Sequence, residues 1–227
     1  MVSIIVPVFN EAATLSALLD RVEAIPLDKE ILLVDDGSTD GSTEVVRARE
    51  GRPGYRVFLN PANRGKGFCV RMCIREARGD VILFQDADLE YCPEELPSLV
   101  APIREGKADV VYGVRFLDLS GPVRRFWHLN GNRLLTLLSN LATGLAFNDM
   151  ETCYKVFRAD VIKSIDIVCD DFGSEPEITA KIARVPGIRI WQMPVSYAPR
   201  SHAEGKKIDV RDGVLALWYI LRFRLLP

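Results

Sequence analysis

The first half of this chain alternates short apolar runs with segments whose apolar residues recur at helical spacing. Short, continuous apolar runs are typical of strands that are buried on both faces of a sheet. After the first run, the leucines of ATLSALLDRV recur every three or four residues and predict a helix. The expected strands are 2–8, 30–34, 55–59, 81–84 and 109–112. Strands separated by helices predict a mostly parallel α/β sheet with right-handed crossovers, flanked by those helices.

Polar and acidic residues follow three of these strands at the point where each strand ends. They are Asn10–Glu11, Asp35–Asp36 and Asp86–Ala87–Asp88. Ligands of open α/β sheets bind at the carboxyl ends of the strands, so these side chains are expected on one rim. Two carboxylates one residue apart can reach one divalent cation, and Mg2+ keeps coordination sites for substrate phosphates. The rim predicts a metal-bound diphosphate and a nucleotide-activated substrate; the alternative is a set of solvated turns and helix caps.

Composition limits the classes of binding partner and the cellular compartment that fit this chain. The chain has 227 residues and a formal net charge of −2, without the basic excess of a general nucleic-acid binder. We therefore expect no nucleic-acid partner. The five cysteines form no CxxC pair and are odd in number, which favours a reducing cytoplasm over a disulfide set. No signal peptide is visible, and no apolar run approaches the roughly 20 residues that span a bilayer. A protein that is soluble or lies on a membrane surface is expected.

The last segment has the pattern of an amphipathic helix. Apolar residues recur on one face at Val214, Leu217, Trp218, Leu221 and Leu225. An apolar face with aromatic residues and nearby arginines is typical of a helix that lies in the membrane interface. The alternative is a helix that packs against the sheet.

Seven motifs together resemble those of the family 2 glycosyltransferases, which have a GT-A (Rossmann-like) fold. They are VPVFNE, VDDGSTDGS, NRGKG, QDADLE, DMETCYKVFR, FGSEPEITAK and SYAPRSHAEGKKIDVRDGVLALWYI. The last three are most similar to the branch that contains the dolichyl-phosphate (polyprenyl-phosphate) mannose and glucose synthases. The resemblance covers about residues 3–222. It implies a GT-A catalytic domain over 1–209, followed by an amphipathic helix over 210–227 that is a candidate for membrane contact.

The resemblance implies a metal-dependent, inverting hexosyltransferase that uses Mg2+ or Mn2+. The implied donor is a nucleotide-diphosphate sugar, GDP-mannose first and UDP-glucose next, and the implied acceptor is dolichyl or polyprenyl phosphate. Such a protein would be peripheral, at the cytoplasmic face of a membrane. Two alternatives stay open: transfer to a sugar or glycolipid hydroxyl, and a non-catalytic nucleotide-sugar-binding partner subunit.

The resemblance also assigns site residues, motif by motif. The nucleotide-sugar pocket comprises Pro7, Phe9, Asn10, Glu11, Asp35, Asp36, Lys66, Asp86 and Ala87. The metal ligands are Asp86, Asp88 and Glu90, and relatives carry Gln at the position of Glu90. The acceptor phosphate is held by Arg115, Arg200 and Lys206. The catalytic residues are Asp88, Arg115 and Lys206.

The acceptor decides whether a general base is needed. A sugar hydroxyl is a poor nucleophile and requires a base, whereas a phosphate monoester has a second pKa of about 6 and arrives ionised. A phosphate acceptor therefore needs cations. Neither His128 nor His202 is a strong candidate base. Glu175 and Glu177 lie near the point where hydroxyl-transferring relatives carry an acid that serves as base. Here Glu177 is expected to position substrate or a loop. Direct displacement by phosphate on an α-linked donor predicts inversion and a β-linked product.

Overall fold

A seven-stranded sheet lies at the centre of the protein, whose computed structural model describes residues 1–115, 126–200 and 210–225. The strands are β1 (Val2–Val8), β2 (Lys29–Asp35), β3 (Tyr55–Leu59), β4 (Val81–Phe84), β5 (Val110–Val114), β6 (Lys155–Arg158) and β7 (Ile190–Pro194). Their order is β3-β2-β1-β4-β6-β5-β7. β6 is antiparallel to both of its neighbours, and the other pairings are parallel. The predicted mostly parallel α/β sheet is confirmed.

Helices connect and flank the strands. They are α1 (Ala12–Ala24), α2 (Ser42–Arg47), α3 (Lys66–Glu76), α4 (Leu96–Arg104), α5 (Phe126–Thr143), α6 (Ala159–Lys163), α7 (Ser174–Ile182) and α8 (Val210–Leu225). A 3-10 turn over Pro93–Glu95 precedes α4.

The burial of the central strands explains their sequence pattern. Nearly all side chains of β1, β2 and β4 are buried, so these strands are continuous apolar runs instead of alternating ones. In α1 the buried residues are those whose spacing predicts the helix: Leu15, Leu18, Leu19 and Val22. Burying one large apolar side chain contributes about 1.5–3 kcal/mol. These strands and α1 belong to one hydrophobic core, which provides a rigid support for the loops at the strand ends.

The register of β1 brings three strand ends to one rim. Val8 lies opposite Asp35 in β2, and Ile5 lies opposite Phe84 in β4. The Asp36 amide donates a hydrogen bond to the Val8 carbonyl at 2.8 Å, which continues the pairing beyond β2. The residues that follow β1, β2 and β4 therefore leave the sheet at the same edge, as the sequence predicts.

α8 packs through one face and exposes the opposite one. The helix contacts α5 and α7. Its buried side chains include Ala216, Ile220 and Phe223. Its exposed large apolar side chains include Leu215, Trp218 and Leu221. The helix therefore packs on α5 and α7 and still exposes apolar side chains, and its contact with a membrane stays a prediction. Within the described parts of the chain, no helix is long and apolar enough to cross a bilayer.

Candidate active site

The loop after β1 begins with a backbone conformation that is rare outside glycine. Asn10 has a φ of 51°, the only positive φ at a non-glycine position among the residues described. Its Oδ1 accepts a hydrogen bond from the Thr39 amide at 2.8 Å, and its own amide donates to Ser38 Oγ at 2.9 Å. The Glu11 amide donates to Ser42 Oγ at 2.8 Å. The loops after β1 and β2 are thus tied together, which fixes Glu11 on the rim.

Asp35 and Asp36 are buried and support the loops around them. The Asp35 carboxylate accepts a hydrogen bond from the Thr43 hydroxyl at 2.8 Å. The Asp36 carboxylate accepts from the amides of Arg64 at 2.9 Å and Gly65 at 2.8 Å. A carboxylate has about four acceptor sites, so these bonds do not exhaust either residue. Their role in recognising the donor nucleoside stays a prediction.

The loops after β1 and β4 are linked by a threonine. The Thr14 hydroxyl is 3.1 Å from a Glu11 carboxylate oxygen and 3.1 Å from the Ala87 carbonyl. Ala87 is buried, while Pro7 and Phe9 are half-buried on the β1 side. The predicted pocket residues of β1 and of the DAD loop therefore lie on one continuous rim.

Asp86 lies in a chain of alternating charges. Its Oδ1 is 2.8 Å from Lys66 Nζ, and the same ammonium is 3.3 Å from Glu175 Oε1. The second Glu175 oxygen forms an ion pair with Lys155, whose side chain is fully buried. Burial alone would lower the pKa of Lys66, but attraction to nearby acids, Asp86 first, outweighs it and holds the pKa well above its usual value. Lys66 therefore remains charged beside the DAD motif.

Asp88 belongs to a second group, in which three carboxylates surround one guanidinium. Arg200 is 2.8 Å from a Glu11 oxygen and 2.8 Å from an Asp88 oxygen. It is also 3.3 Å from Glu90, and all four side chains are mostly buried. Burial, with the charges of Asp86 and Glu90, raises the pKa of Asp88 to about 7. We refer to Glu11, Asp88, Glu90 and Arg200 as the Arg200 cluster.

A short backbone pairing brings Arg200 to the rim. Tyr91 and Tyr197 form an antiparallel bridge, and the Ala198 amide donates to the Glu90 carbonyl at 2.8 Å. The Tyr197 hydroxyl and the Arg200 amide donate to the Glu90 carboxylate at 2.5 and 3.0 Å. The segment after β7 is therefore held along the DAD loop.

Arg115 lies nearby but is held by a different acid. Its guanidinium forms a bidentate ion pair with the buried Asp149, at 2.7 and 2.8 Å. It also lies over the Tyr197 ring, 5.1 Å from the ring centroid. Burial alone would lower the pKa of Arg115, but its neighbours hold it well above the usual value. Because the guanidinium of Arg115 faces Asp149, contact between Arg115 and an acceptor phosphate stays a prediction.

The chemistry of the rim fits a divalent cation held by two carboxylates. Asp86 and Asp88 are hard oxygen donors, and Mg2+ is commonly bound by one or two carboxylates together with substrate phosphates. Within residues 1–115, 126–200 and 210–225, no three His, Cys, Asp or Glu side chains form a ready-made metal site. Glu90 instead accepts hydrogen bonds from Tyr197 and Arg200. Its role as a third metal ligand stays a prediction.

Glu177, the acid considered as an alternative base, supports a loop. Its side chain is fully buried, and its two oxygens accept hydrogen bonds from the amides of Val168 and Cys169, each at 2.8 Å. Lys181 forms an ion pair with it at 2.7 Å. These contacts agree with the expectation that Glu177 positions a loop.

Several supporting residues carry little signal in the sequence. Lys155 lies within the ETCYK motif, but a buried lysine cannot be told from a surface one by spacing alone. Thr14 is one polar residue within the leucine-rich pattern of α1, and Tyr197 is one residue of a longer motif, so neither stands out in the sequence. Lys206, predicted to act in catalysis and on the acceptor phosphate, lies outside the described residues, and so does His202.

The family model described as Glycosyl transferase family 2 matches residues 3–166. The chain belongs to this family. The match includes the DAD motif, Lys66 and Glu11, which form the rim described above. The family resemblance drawn from the motifs is confirmed.

Relatives of this family 2 chain include enzymes that act on a lipid phosphate. The undecaprenyl-phosphate 4-deoxy-4-formamido-L-arabinose transferase of Edwardsiella ictaluri is 34% identical over 212 residues, covering 90% of this chain and 62% of that protein. The enzyme of the same name from Pseudomonas aeruginosa is 34% identical over 219 residues, covering 93% of this chain and 61% of that protein. The chain thus spans roughly three-fifths of the length of these relatives.

Solved structures confirm the GT-A fold. Glucosyl-3-phosphoglycerate synthase from Mycobacterium tuberculosis, in complex with Mn2+, uridine diphosphate and phosphoglyceric acid, superposes with a TM-score of 0.76 at 20% identity. The alignment covers 100% of this chain and 79% of that one. The complex of the same protein with Mg2+ and uridine diphosphate has a TM-score of 0.76 at 19% identity, covering 100% and 80%.

Two glycines of the NRGKG motif are needed for close packing beside the site. A Cβ at Gly65 would lie 2.2 Å from the Asp170 carbonyl oxygen, and one at Gly67 would lie 2.3 Å from that of Cys169. Gly65 also has a φ of +94°. The glycines therefore let the start of α3, which carries Lys66, approach a neighbouring loop.

We expect Gly65→Ala to lower the free energy of unfolding by about 3 kcal/mol, because backbone strain adds to steric overlap. Gly106→Ala is the matched control: it has a φ of +67°, but nothing lies within 4 Å of the added Cβ. The control is expected to cost about 1–2 kcal/mol. Urea unfolding of both variants measures the difference, and equal losses would contradict the close-packing explanation.

Proposed function

We propose that this chain is the catalytic part of a metal-dependent, inverting glycosyltransferase that moves a sugar from a nucleotide-diphosphate donor to a polyprenyl phosphate. The observation that carries the proposal is the position of Asp86 and Asp88 between two cations. Lys66 contacts the first carboxylate and Arg200 contacts the second. Oxygen ligands for a metal and positive charges for phosphates thus meet on one rim. Family membership and the lipid-phosphate relatives support this function.

On the donor side, Asp86 and Asp88 would hold Mg2+ or Mn2+, which when bound offsets the charge that develops on the departing nucleoside diphosphate. Lys66 adds a fixed positive charge, because Asp86 and Glu175 hold its ammonium in place. Asp35 and Asp36 would accept hydrogen bonds from the base and ribose. The residues from Pro7 to Glu11 would form the wall of the nucleotide pocket.

On the acceptor side, the chain has to orient an oxyanion and needs no base to create one, because a phosphate monoester is already ionised near neutral pH. Arg200 contacts Asp88, and Arg115 lies over Tyr197 in the segment that carries Arg200. Both arginines would hold the acceptor phosphate, with Lys206 as a third candidate. The hydroxyl-acceptor alternative depended on Glu175 or Glu177 as a base. Glu177 accepts hydrogen bonds from two amides, and Glu175 forms ion pairs with Lys66 and Lys155. The lipid phosphate is therefore the favoured acceptor.

The proposal also specifies which acceptor lipid and which transferred sugar to test first. The names of the relatives favour undecaprenyl phosphate over dolichyl phosphate as the first lipid to test. For the sugar, we propose mannose first and glucose next, with GDP-mannose and UDP-glucose as donors. The formamido-arabinose of the relatives is a third candidate to include.

A binding screen followed by a transfer assay tests this function. Nucleotide sugars with Mn2+ are expected to raise the thermal unfolding midpoint, because a ligand that binds only the folded state stabilises it. The stabilising donor is then incubated with undecaprenyl phosphate, dolichyl phosphate or an oligosaccharide, and the product is analysed by NMR. A β-linked sugar phosphate lipid is expected. Transfer only to the oligosaccharide, or an α-linked lipid product, would contradict the proposal.

We also propose that the protein is peripheral, at the cytoplasmic face of the membrane, through α8 and the neighbouring helix α5. The exposed leucines of α5 are Leu134, Leu137 and Leu141. α5 contacts α8, whose exposed Trp218 and Leu221 extend the apolar surface. A helix with an apolar face and arginines near its end suits the interface of an anionic bilayer. The division of the chain into 1–209 and 210–227 stays part of this proposal.

Replacing Trp218 and Leu221 together by Ser is expected to weaken binding to anionic liposomes about tenfold or more, because each large apolar side chain contributes about 1.5–3 kcal/mol on burial. Trp191→Ser is the matched control, since Trp191 is also a half-exposed tryptophan but lies on β7. Co-sedimentation measures bound protein. Equal binding by the double variant and the wild type would exclude this face of α8.

A further inference from the structure

Among the described residues, the Arg200 cluster places three acids around one cation. Three carboxylates, those of Glu11, Asp88 and Glu90, lie within ion-pair distance of one guanidinium. The exposed side-chain fractions are 9%, 14% and 10% for the acids and 17% for Arg200. Charges removed from water need compensating charges nearby, because desolvation of an unpaired ion is costly. Arg200 is therefore the positive charge that makes this arrangement of acids stable.

The geometry of Arg200 directs separate nitrogens to separate acids. Nη1 and Nη2 contact the two oxygens of Glu11 at 2.8 and 3.0 Å, while Nη2 also contacts Asp88 at 2.8 Å. Nε faces Glu90 at 3.3 Å. The planar fork of arginine suits such multiple recognition, and it suits phosphate oxygens equally well. The Asp88 oxygen that Arg200 contacts belongs to one of the two carboxylates predicted to hold the divalent cation.

Building on the function proposed above, we propose that Arg200 is the resident counter-ion of Asp88 and competes with the divalent cation for this carboxylate. The guanidinium and a metal ion cannot both lie against the same Asp88 oxygen without strong charge repulsion. When the cation is bound, Arg200 retains Glu11 and Glu90 as partners and directs its Asp88-facing Nη2 to an oxyanion. One residue therefore stabilises the empty site and recognises phosphate in the loaded site.

This exchange couples cation binding to anion binding. A cation that binds without an anion displaces Arg200 from Asp88 and leaves the guanidinium without a replacement for this contact. The cation therefore binds weakly by itself. A phosphate anion offers the displaced guanidinium a new partner, so the cation and the anion strengthen each other's binding. Such coupling is reciprocal by thermodynamic linkage.

Mn2+ binding to the purified chain, measured by electron paramagnetic resonance without donor or acceptor, tests the competition. The measurement is made at about pH 8, because a metal ion binds the deprotonated form of a carboxylate. Arg200→Gln is expected to bind Mn2+ about tenfold more tightly than the wild type, because one charge-assisted contact no longer opposes the cation. An unchanged or weaker Mn2+ affinity in this variant would overturn the proposal.

Two further variants keep this test decisive. Arg158→Gln removes an arginine that pairs with Asp109 and Asp160 at the far end of β4 and β6, so its Mn2+ affinity should equal that of the wild type. Arg200→Lys retains the charge but loses the planar fork, so its Mn2+ affinity should lie between those of the wild type and Arg200→Gln. If Arg200→Lys binds Mn2+ as tightly as Arg200→Gln, competition by charge is wrong. Far-UV circular dichroism confirms folding. Should Arg200→Gln unfold, inorganic phosphate is expected to tighten Mn2+ binding to the wild type, and an Mn2+ affinity that phosphate does not raise would overturn the proposal.

The two proposals fail in distinguishable ways. An absence of sugar transfer with every donor and acceptor would contradict the proposed function and leave the Mn2+ measurements valid. Equal Mn2+ affinities for the wild type and Arg200→Gln would remove the counter-ion role alone.

Discussion

Asp88→Asn is expected to reduce sugar transfer about a thousandfold, equivalent to about 4 kcal/mol of transition-state stabilisation. The substitution preserves the size of the side chain but removes the ionised oxygen that a divalent cation needs. The fold should persist, because burial already disfavours the charged form of Asp88 and raises its pKa to about 7. We therefore expect the thermal unfolding midpoint to be unchanged or slightly higher. A transfer assay under saturating Mn2+, together with a thermal scan, measures both quantities.

Asp160→Asn is the matched control for this substitution. Asp160 is an exposed partner of Arg158, far from the rim, so its loss should leave transfer unchanged. Asp88→Asn with full transfer activity would refute the metal mechanism. Asp88→Asn that unfolds near the assay temperature would show instead that the Arg200 cluster needs all three of its acids for stability.

Lys155→Met is expected to lower the free energy of unfolding by about 3–5 kcal/mol, because the buried Glu175 loses its nearer cation and keeps only the more distant contact with Lys66, at 3.3 Å. Lys155 is fully buried, and its ammonium contacts Glu175 and the Thr152 carbonyl. Methionine occupies a similar volume, so the loss reports mainly on the charge. Urea unfolding followed by circular dichroism measures the effect.

Two comparisons make this prediction specific. Lys107→Met removes a lysine whose pair with Glu105 is more than half exposed on both sides, and should change stability by less than about 1 kcal/mol. The double variant Lys155→Met/Glu175→Gln should recover much of the lost stability, because it no longer buries a carboxylate that has lost its nearer cation. A double variant as unstable as Lys155→Met would show that packing, and not charge, accounts for the loss.

The acidic residues of the site were predictable because they follow strands directly in the chain. Asp86 and Asp88 come after the buried run of β4, and Glu11 comes after β1. Once the alternation of strands and helices predicts parallel pairing, the carboxyl ends of these strands must meet at one edge. The register of β1 with β2 and β4 confirms this.

The partners of those acids were less predictable. Arg200 could be proposed as a phosphate ligand from its motif, but its contacts with Glu11 and Asp88 could not, because they join residues far apart in sequence. Likewise, the sequence pattern predicts a strand over CYKVFR without indicating that it inserts between β4 and β5 in the antiparallel direction. An apolar run predicts that a strand is buried. Many neighbouring strands would bury it equally well, so the run does not specify which of them it pairs with.

By itself, the sequence determined the α/β sheet and the acids of its rim, because helical and strand periodicity are local properties and strand direction follows from the crossovers. The tertiary structure alone decided which cations neutralise those acids. Arg200 and the Glu90 carboxylate are 110 residues apart, and they meet because the segment after β7 returns along the DAD loop. A charge pair of this kind depends on the path of the whole chain, and no local pattern encodes that path.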